Sequence, residues 1–94
     1  MSIALSGEEI VHKLGELNGW MFENDCLKKN FEFLNYREAM SFLLQISYEA
    51  EEINHHPEIF NCYNRVSLSL NTHDAGGKVT EKDFFLASAI DTIS

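Results

Sequence analysis

Of the four histidines in this chain, three could act together: the adjacent pair His55-His56 and His73. An imidazole has an ordinary pKa of roughly 6.5, so it gives and takes protons near neutrality and suits general acid–base chemistry. His55 and His56 fall where a long helical pattern stops against Pro57. The carbonyl end of a helix stabilises an imidazolium, which favours an acid role there. Histidines also serve as plain helix caps, so the pair by itself carries two readings. His73 follows a cleanly alternating strand pattern and precedes a glycine-containing loop, a place where rigid scaffolds display functional side chains. A merely solvated loop histidine has the same appearance in sequence. His12, near Lys13 and Glu16 on a short helical stretch, is read as a surface residue.

Two carboxylates stand at informative distances from these rings. Glu51 precedes His55 by four positions. If the helix persists that far, the two share a face and the carboxylate orients the imidazole. A surface charge on a glutamate-rich helix accounts for Glu51 equally well. Asp83 is the third residue after Thr80 and reads as the acid of a capping box. No metal is expected. Zinc sites favour helical i, i+4 pairs or Cys-x-x-Cys clusters, adjacent histidines diverge, and nothing in the spacing requires Cys62 or Asp74 as a further ligand.

The elements that must hold these residues follow from periodicity and punctuation. Ser6 and Glu9 form a capping box ahead of Ile10, Leu14 and Leu17, which predicts a first helix ending at Asn18-Gly19. Trp20 to Phe22 and Cys26 to Phe33 read as strands joined across Asn24-Asp25. In the second, Leu27, Lys29, Phe31 and Phe33 share one face. Asn35 and Glu38 suggest another capping box, opening a helix with Ala39, Phe42, Leu43, Ile46, Ala50 and Ile53 inward. Ile59 to Asn71 reads as two strands meeting near Tyr63-Asn64, with one bent strand as the alternative, and Val66, Leu68 and Leu70 alternate against polar residues. A polar loop with Gly76-Gly77 leads to a last helix lined by Leu86, Ala89, Ile90 and Ile93. The order α-β-β-α-β-β-α implies an α+β fold, with helices on one face of a four-stranded antiparallel sheet.

Composition narrows the function classes. Ninety-four residues are expected to form one domain, residues 1–94, and 45% hydrophobic with 23% charged residues is the balance of a globular chain. So small a core makes self-association a reasonable source of further burial. Fifteen acidic against seven basic residues give a formal charge of −8, with Lys28-Lys29 the only basic doublet. Direct nucleic-acid binding and attraction to an anionic membrane are not expected. Cys26 and Cys62 are too few for a disulfide framework, Met1 to Leu5 lacks the pattern of a signal peptide, and no apolar run spans a bilayer. These features predict a cytoplasmic location.

Taken together, the chemistry-bearing residues make an ordered pattern: Glu51, three residues, His55-His56-Pro57, five residues, Tyr63, nine residues, His73, nine residues, Asp83. Gly19-Trp20, Phe31-x-Phe33, Asn61-x-Tyr63-Asn64-x-Val66, Leu70-x-Thr72-His73, Gly76-Gly77 and Leu86-Ala87 extend it over nearly the whole chain. This pattern resembles the pterin-4a-carbinolamine dehydratase family. The family commonly carries a tryptophan two positions after the proline, where this chain has Ile59, and this chain's loop between His73 and Asp83 is slightly longer than the family's.

The resemblance implies a hydro-lyase that converts 4a-hydroxytetrahydrobiopterin to quinonoid dihydrobiopterin and water. That reaction recycles the pterin cofactor of aromatic amino-acid hydroxylases, with pterin as substrate and no metal or redox cofactor. It implies a pterin pocket lined by His55, His56 and His73, with Glu51, Pro57 and Asp83 binding or orienting. His55 and His73 are assigned most of the proton transfer and His56 the positioning of the ring, Glu51 being paired with His55 and Asp83 with His73. It also implies a homodimer or homotetramer. Some members act instead as dimerisation cofactors of a transcription factor, which admits a nuclear location as well.

Overall fold

Asn24 and Asp25 both adopt positive φ, 53° and 60°, the conformation that lets a two-residue turn match the right-handed twist of the strands it joins. Asn and Asp tolerate it because their short polar side chains bond locally. The turn fixes the register of the first hairpin, Glu23 opposite Cys26 and Met21 opposite Lys28. In the computed structural model, which describes residues 3–94, the elements run α1 (Gly7–Leu14), β1 (Met21–Glu23), β2 (Cys26–Glu32), α2 (Tyr36–Glu52), β3 (Glu58–Cys62), β4 (Arg65–Leu70) and α3 (Glu81–Ile93). A single 3-10 turn, His73–Ala75, precedes α3. Met1 and Ser2, the start of the stretch read for a signal peptide, lie outside the described residues.

The sheet is antiparallel throughout, in the order β1-β2-β4-β3. Each hairpin is local, and the pairing of β2 with β4 joins the two halves of the chain, Leu27 facing Leu70 and Phe31 facing Val66. Period-two alternation sends Leu27, Val66, Leu68 and Leu70 to one face, where they are buried. Helix α2 covers that face with Ala39, Phe42, Ile46 and Ala50. The α+β architecture predicted from the element order is the one observed.

Three local expectations are adjusted. Helix α1 ends at Leu14, not near Leu17, because the ladder tightens: Glu16 N donates to Lys13 O at 3.0 Å and Leu17 N to Leu14 O at 3.1 Å. These i to i−3 bonds still leave Leu17 half-buried against the core. At α2 only half a capping box forms. Asn35 caps Glu38 N at 2.9 Å, but the Glu38 carboxylate accepts from Leu34 N one residue earlier. Along α3 the buried apolar residues are Phe84, Leu86, Ala87 and Ile90, with Ala89 and Ile93 only half-buried, since this helix packs against both the sheet and α2 and so buries a wider arc.

Lys29 occupies the helix-facing side of β2, and its charge is met there. Its Nζ donates to Asp91 Oδ1 at 2.9 Å and to Asn18 O at 2.7 Å, above the rings of Phe31 and Trp20. Asp91 also accepts from Trp20 Nε1 at 3.0 Å. Asp91→Ala strips both donors of their shared acceptor in a half-buried setting. It should cost about 1–3 kcal/mol, read as a lower midpoint in urea with an unchanged slope. Cys26 and Cys62 are free thiols, and burial pushes the Cys26 thiol up. Among the described residues no helix is long and apolar enough to cross a membrane.

Candidate active site

The site is made by the way α2 ends. Ile53 caps the helix and Asn54 takes the left-handed conformation, φ 51°. Asn54 N then donates to Glu51 O at 3.1 Å and His55 N to Ala50 O at 3.0 Å. This is the double closure of a Schellman motif, in which a short polar residue stands where glycine is commoner. The chain reverses at once, and Pro57 prevents its return to helix. Successive extended residues project to opposite sides, so His55 turns inward and is 8% exposed while His56 points to solvent.

His55 meets α3. Its Nε2 lies 2.6 Å from Asp83 Oδ1, and Asp83 is fully buried. The other carboxylate oxygen accepts from Thr80 N at 2.9 Å and from the Thr72 hydroxyl at 2.8 Å. Asp83 is therefore the expected capping-box acid of α3 and, at the same time, the partner of a histidine 28 residues earlier. His56 Nε2 lies 2.8 Å from Glu51 Oε1, both groups exposed.

These pairings differ from the expected ones. The resemblance pairs Glu51 with His55 and Asp83 with His73; the structure pairs Glu51 with His56 and Asp83 with His55. The i, i+4 relation presupposed a helix running through His55, and the left-handed Asn54 ends that helical face two residues too soon.

His73 is carried to the same place by a closed loop. Thr72 N donates to Lys78 O at 2.9 Å and Gly77 N to Thr72 O at 3.0 Å, which ties the two ends of the loop together. Gly76 and Gly77 both have φ near 75°, a pair of consecutive left-handed residues that side chains other than glycine's strain to adopt. His73 opens the 3-10 turn and is exposed.

One cleft of about 360 Å3, a volume within the range of small-molecule sites, is lined by His55, His56 and His73 together with Asn54, Asp74 and Lys82. Asn71 and Thr72 complete its wall. A concavity of about 440 Å3 beside the N-terminal segment, lined by Leu5, Glu9 and Glu81 among others, contains no histidine.

Of the residues singled out in sequence, the three histidines share the cleft, Asp83 stands behind His55, and Glu51 braces His56. Pro57 shapes the backbone and does not line the cleft. Tyr63 sits at the β3–β4 turn, 61% exposed, at the opposite end of β4 and roughly 20 Å away by strand length. Ile59 lies on edge strand β3 opposite Leu68 and also stays out of the cleft wall.

Sequence reasoning missed Lys82, Asn71 and the Thr72–Thr80 pair. One signal was available: Thr72 continues the buried phase of Val66, Leu68 and Leu70, and a hydroxyl at a core position needs a buried partner.

A four-stranded antiparallel sheet under helices gathers three imidazoles in one cleft at the end of its longest helix. Residues 3–93 match the family described as Pterin 4 alpha carbinolamine dehydratase, and the chain belongs to that family. A protein of Opitutus terrae named "Putative pterin-4-alpha-carbinolamine dehydratase" is 51% identical over 94 residues, covering 100% of this chain and 97% of its own length. A Sulfolobus acidocaldarius protein of the same name is 49% identical over 89 residues, covering 95% of this chain and 97% of its own. Among solved structures, a "transcriptional coactivator/pterin dehydratase" from Brucella melitensis superimposes with TM-score 0.91 at 35% identity, over 96% of this chain and 97% of that one. A pterin dehydratase-like protein described as a RuBisCO assembly factor in the alpha-carboxysome shares the fold, with TM-score 0.68 at 24% identity over 81% of this chain and 89% of its own.

Proposed function

We propose that the chain is a hydro-lyase that dehydrates 4a-hydroxytetrahydrobiopterin to quinonoid dihydrobiopterin, the pterin being substrate and no metal taking part. The observation that carries this reading is the convergence of three imidazoles on one cleft, one of them buried against a carboxylate. The 4a-hydroxyl leaves as water only if it gains a proton, while the N5 proton must depart. An imidazolium that gives the first and a neutral imidazole that takes the second balance the reaction, with the C4a–O bond broken and the N5–C4a double bond formed. His55 and His73 make these transfers. His56, held by Glu51, positions the ring. The reaction would return the pterin to an aromatic amino-acid hydroxylase cycle.

The direct test is the rate of dehydration of a freshly generated 4a-hydroxytetrahydropterin with and without the protein. Acceleration over buffer is expected, and a rate equal to buffer rejects the proposal. Dihydropterin should also raise Tm, since a ligand selective for the native state stabilises it.

A second reading, an interaction module for a transcription factor, is favoured by Leu44 and Tyr48 exposed on α2 and by the coactivator description of the Brucella relative. It makes no use of the histidines, so a partner that binds equally well to His73→Ala separates it from catalysis.

A further inference from the structure

Behind His55 lies a row of buried polar groups that the proton transfers do not use directly. Thr72 and Thr80 are each 2% exposed, and their hydroxyl oxygens lie 2.7 Å apart. Thr80 Oγ1 also lies 3.2 Å from Lys82 N, and Thr72 Oγ1 lies 2.8 Å from Asp83 Oδ2.

The direction of every bond in this row is determined. A backbone N–H only donates, so Thr80 Oγ1 accepts from Lys82. A carboxylate only accepts, so Thr72 gives its single hydroxyl proton to Asp83. Thr72 then has none left for Thr80, and the bond between the hydroxyls runs from Thr80 to Thr72. Protons therefore point one way, from the first turn of α3 to Asp83 Oδ2, where Thr80 N–H converges as well. Such chains polarise one another and strengthen. With Oδ2 saturated, Oδ1 is the oxygen presented to His55, 2.6 Å from Nε2, and as an acceptor it calls for an N–H there.

We propose that Thr72 and Thr80 are positioning residues: their one-way hydroxyl chain pins the Asp83 carboxylate so that His55 keeps its proton on Nε2 and meets the substrate through Nδ1. Nδ1 is the nitrogen left for the cleft, since no hydrogen bond reaches it from the described residues. The consequence for rate rests on the dehydratase reading, whereas the hydrogen-bond order rests on geometry alone.

Two readouts test this, the His55 tautomer by long-range proton–nitrogen correlation spectra, titrated until the ring is neutral, and the dehydration kinetics of a 4a-hydroxytetrahydropterin. Wild type is expected to show the Nε2–H tautomer. Thr72→Val keeps the shape and removes the donor, so it should mix in the Nδ1–H form and lower kcat about tenfold with KM changed less than about twofold. Thr72→Ser should restore both. An Nδ1–H tautomer in wild type overturns the proposal, as does a Thr72→Val protein with unchanged tautomer or unchanged kcat. The wild-type spectrum needs no variant, so a Thr72→Val protein that fails to fold leaves the test in force. A wild type that shows no dehydration, but whose His55 tautomer responds to Thr72→Val, removes the dehydratase reading and supports the chain.

Discussion

Asp83→Asn should lower kcat by roughly 100- to 10,000-fold while costing only about 1–2 kcal/mol of stability. The substitution keeps the shape of the side chain but makes one of its two acceptor positions a donor. Thr80 N–H and the Thr72 hydroxyl both donate to the Oδ2 position, so the carbonyl of the new amide must sit there. Its NH2 then faces His55 Nε2, which has to accept, and the imidazole proton moves to Nδ1. On the proposed reading, the nitrogen offered to the substrate is thereby changed from a base to a donor. Asp83→Ala goes further, leaving a buried imidazole and a helix N-terminus without their acceptor, and should cost about 3–5 kcal/mol. A domain of this size has roughly 5–14 kcal/mol in total, so that variant stands near the edge of folding. Kinetics of Asp83→Asn beside urea titrations of both variants check the pair. An Asp83→Asn enzyme with wild-type kcat would show that the His55 tautomer is irrelevant to catalysis.

His73→Ala is expected to separate activity from stability. His73 is exposed on a one-turn 3-10 element, and its loop is held by backbone bonds at Thr72, Gly77 and Lys78 that the substitution leaves alone. Tm should stay within about 3 °C of wild type. If His73 makes one of the two proposed proton transfers, its loss should nevertheless slow dehydration by about 100-fold or more. His55→Ala cannot make this separation, because the ring is buried on Asp83 and its removal strands a carboxylate in the core. A His73→Ala protein with full kcat would move the second proton-transfer role to His56, which faces the same cleft.

How much was legible in the residues depends on the range of the interaction involved. The capping boxes at Ser6–Glu9 and Thr80–Asp83 were readable because all their groups lie within one turn. The alternation of Val66, Leu68 and Leu70 was readable because a strand has two faces and only one is buried. The turn at Asn24-Asp25 follows from residues that accept positive φ. Lys29 was visible as a charge on an apolar face, but its acceptor Asp91 lies 62 residues away, and only the packing of α3 against β2 brings them together.

The histidines follow the same division. Their types, the stop at Pro57 and the spacing to His73 and Asp83 are properties of the chain itself, enough to mark a candidate site and the family. Which carboxylate holds which ring is not. That choice turns on the left-handed Asn54, which folds His55 beneath the helix end instead of along it, and on the docking of α3, which carries Asp83 to meet it. Periodicity specifies which side of an element a residue occupies. Hydrogen bonds a few ångströms long depend on how two elements are set against each other, and tertiary packing alone decided that.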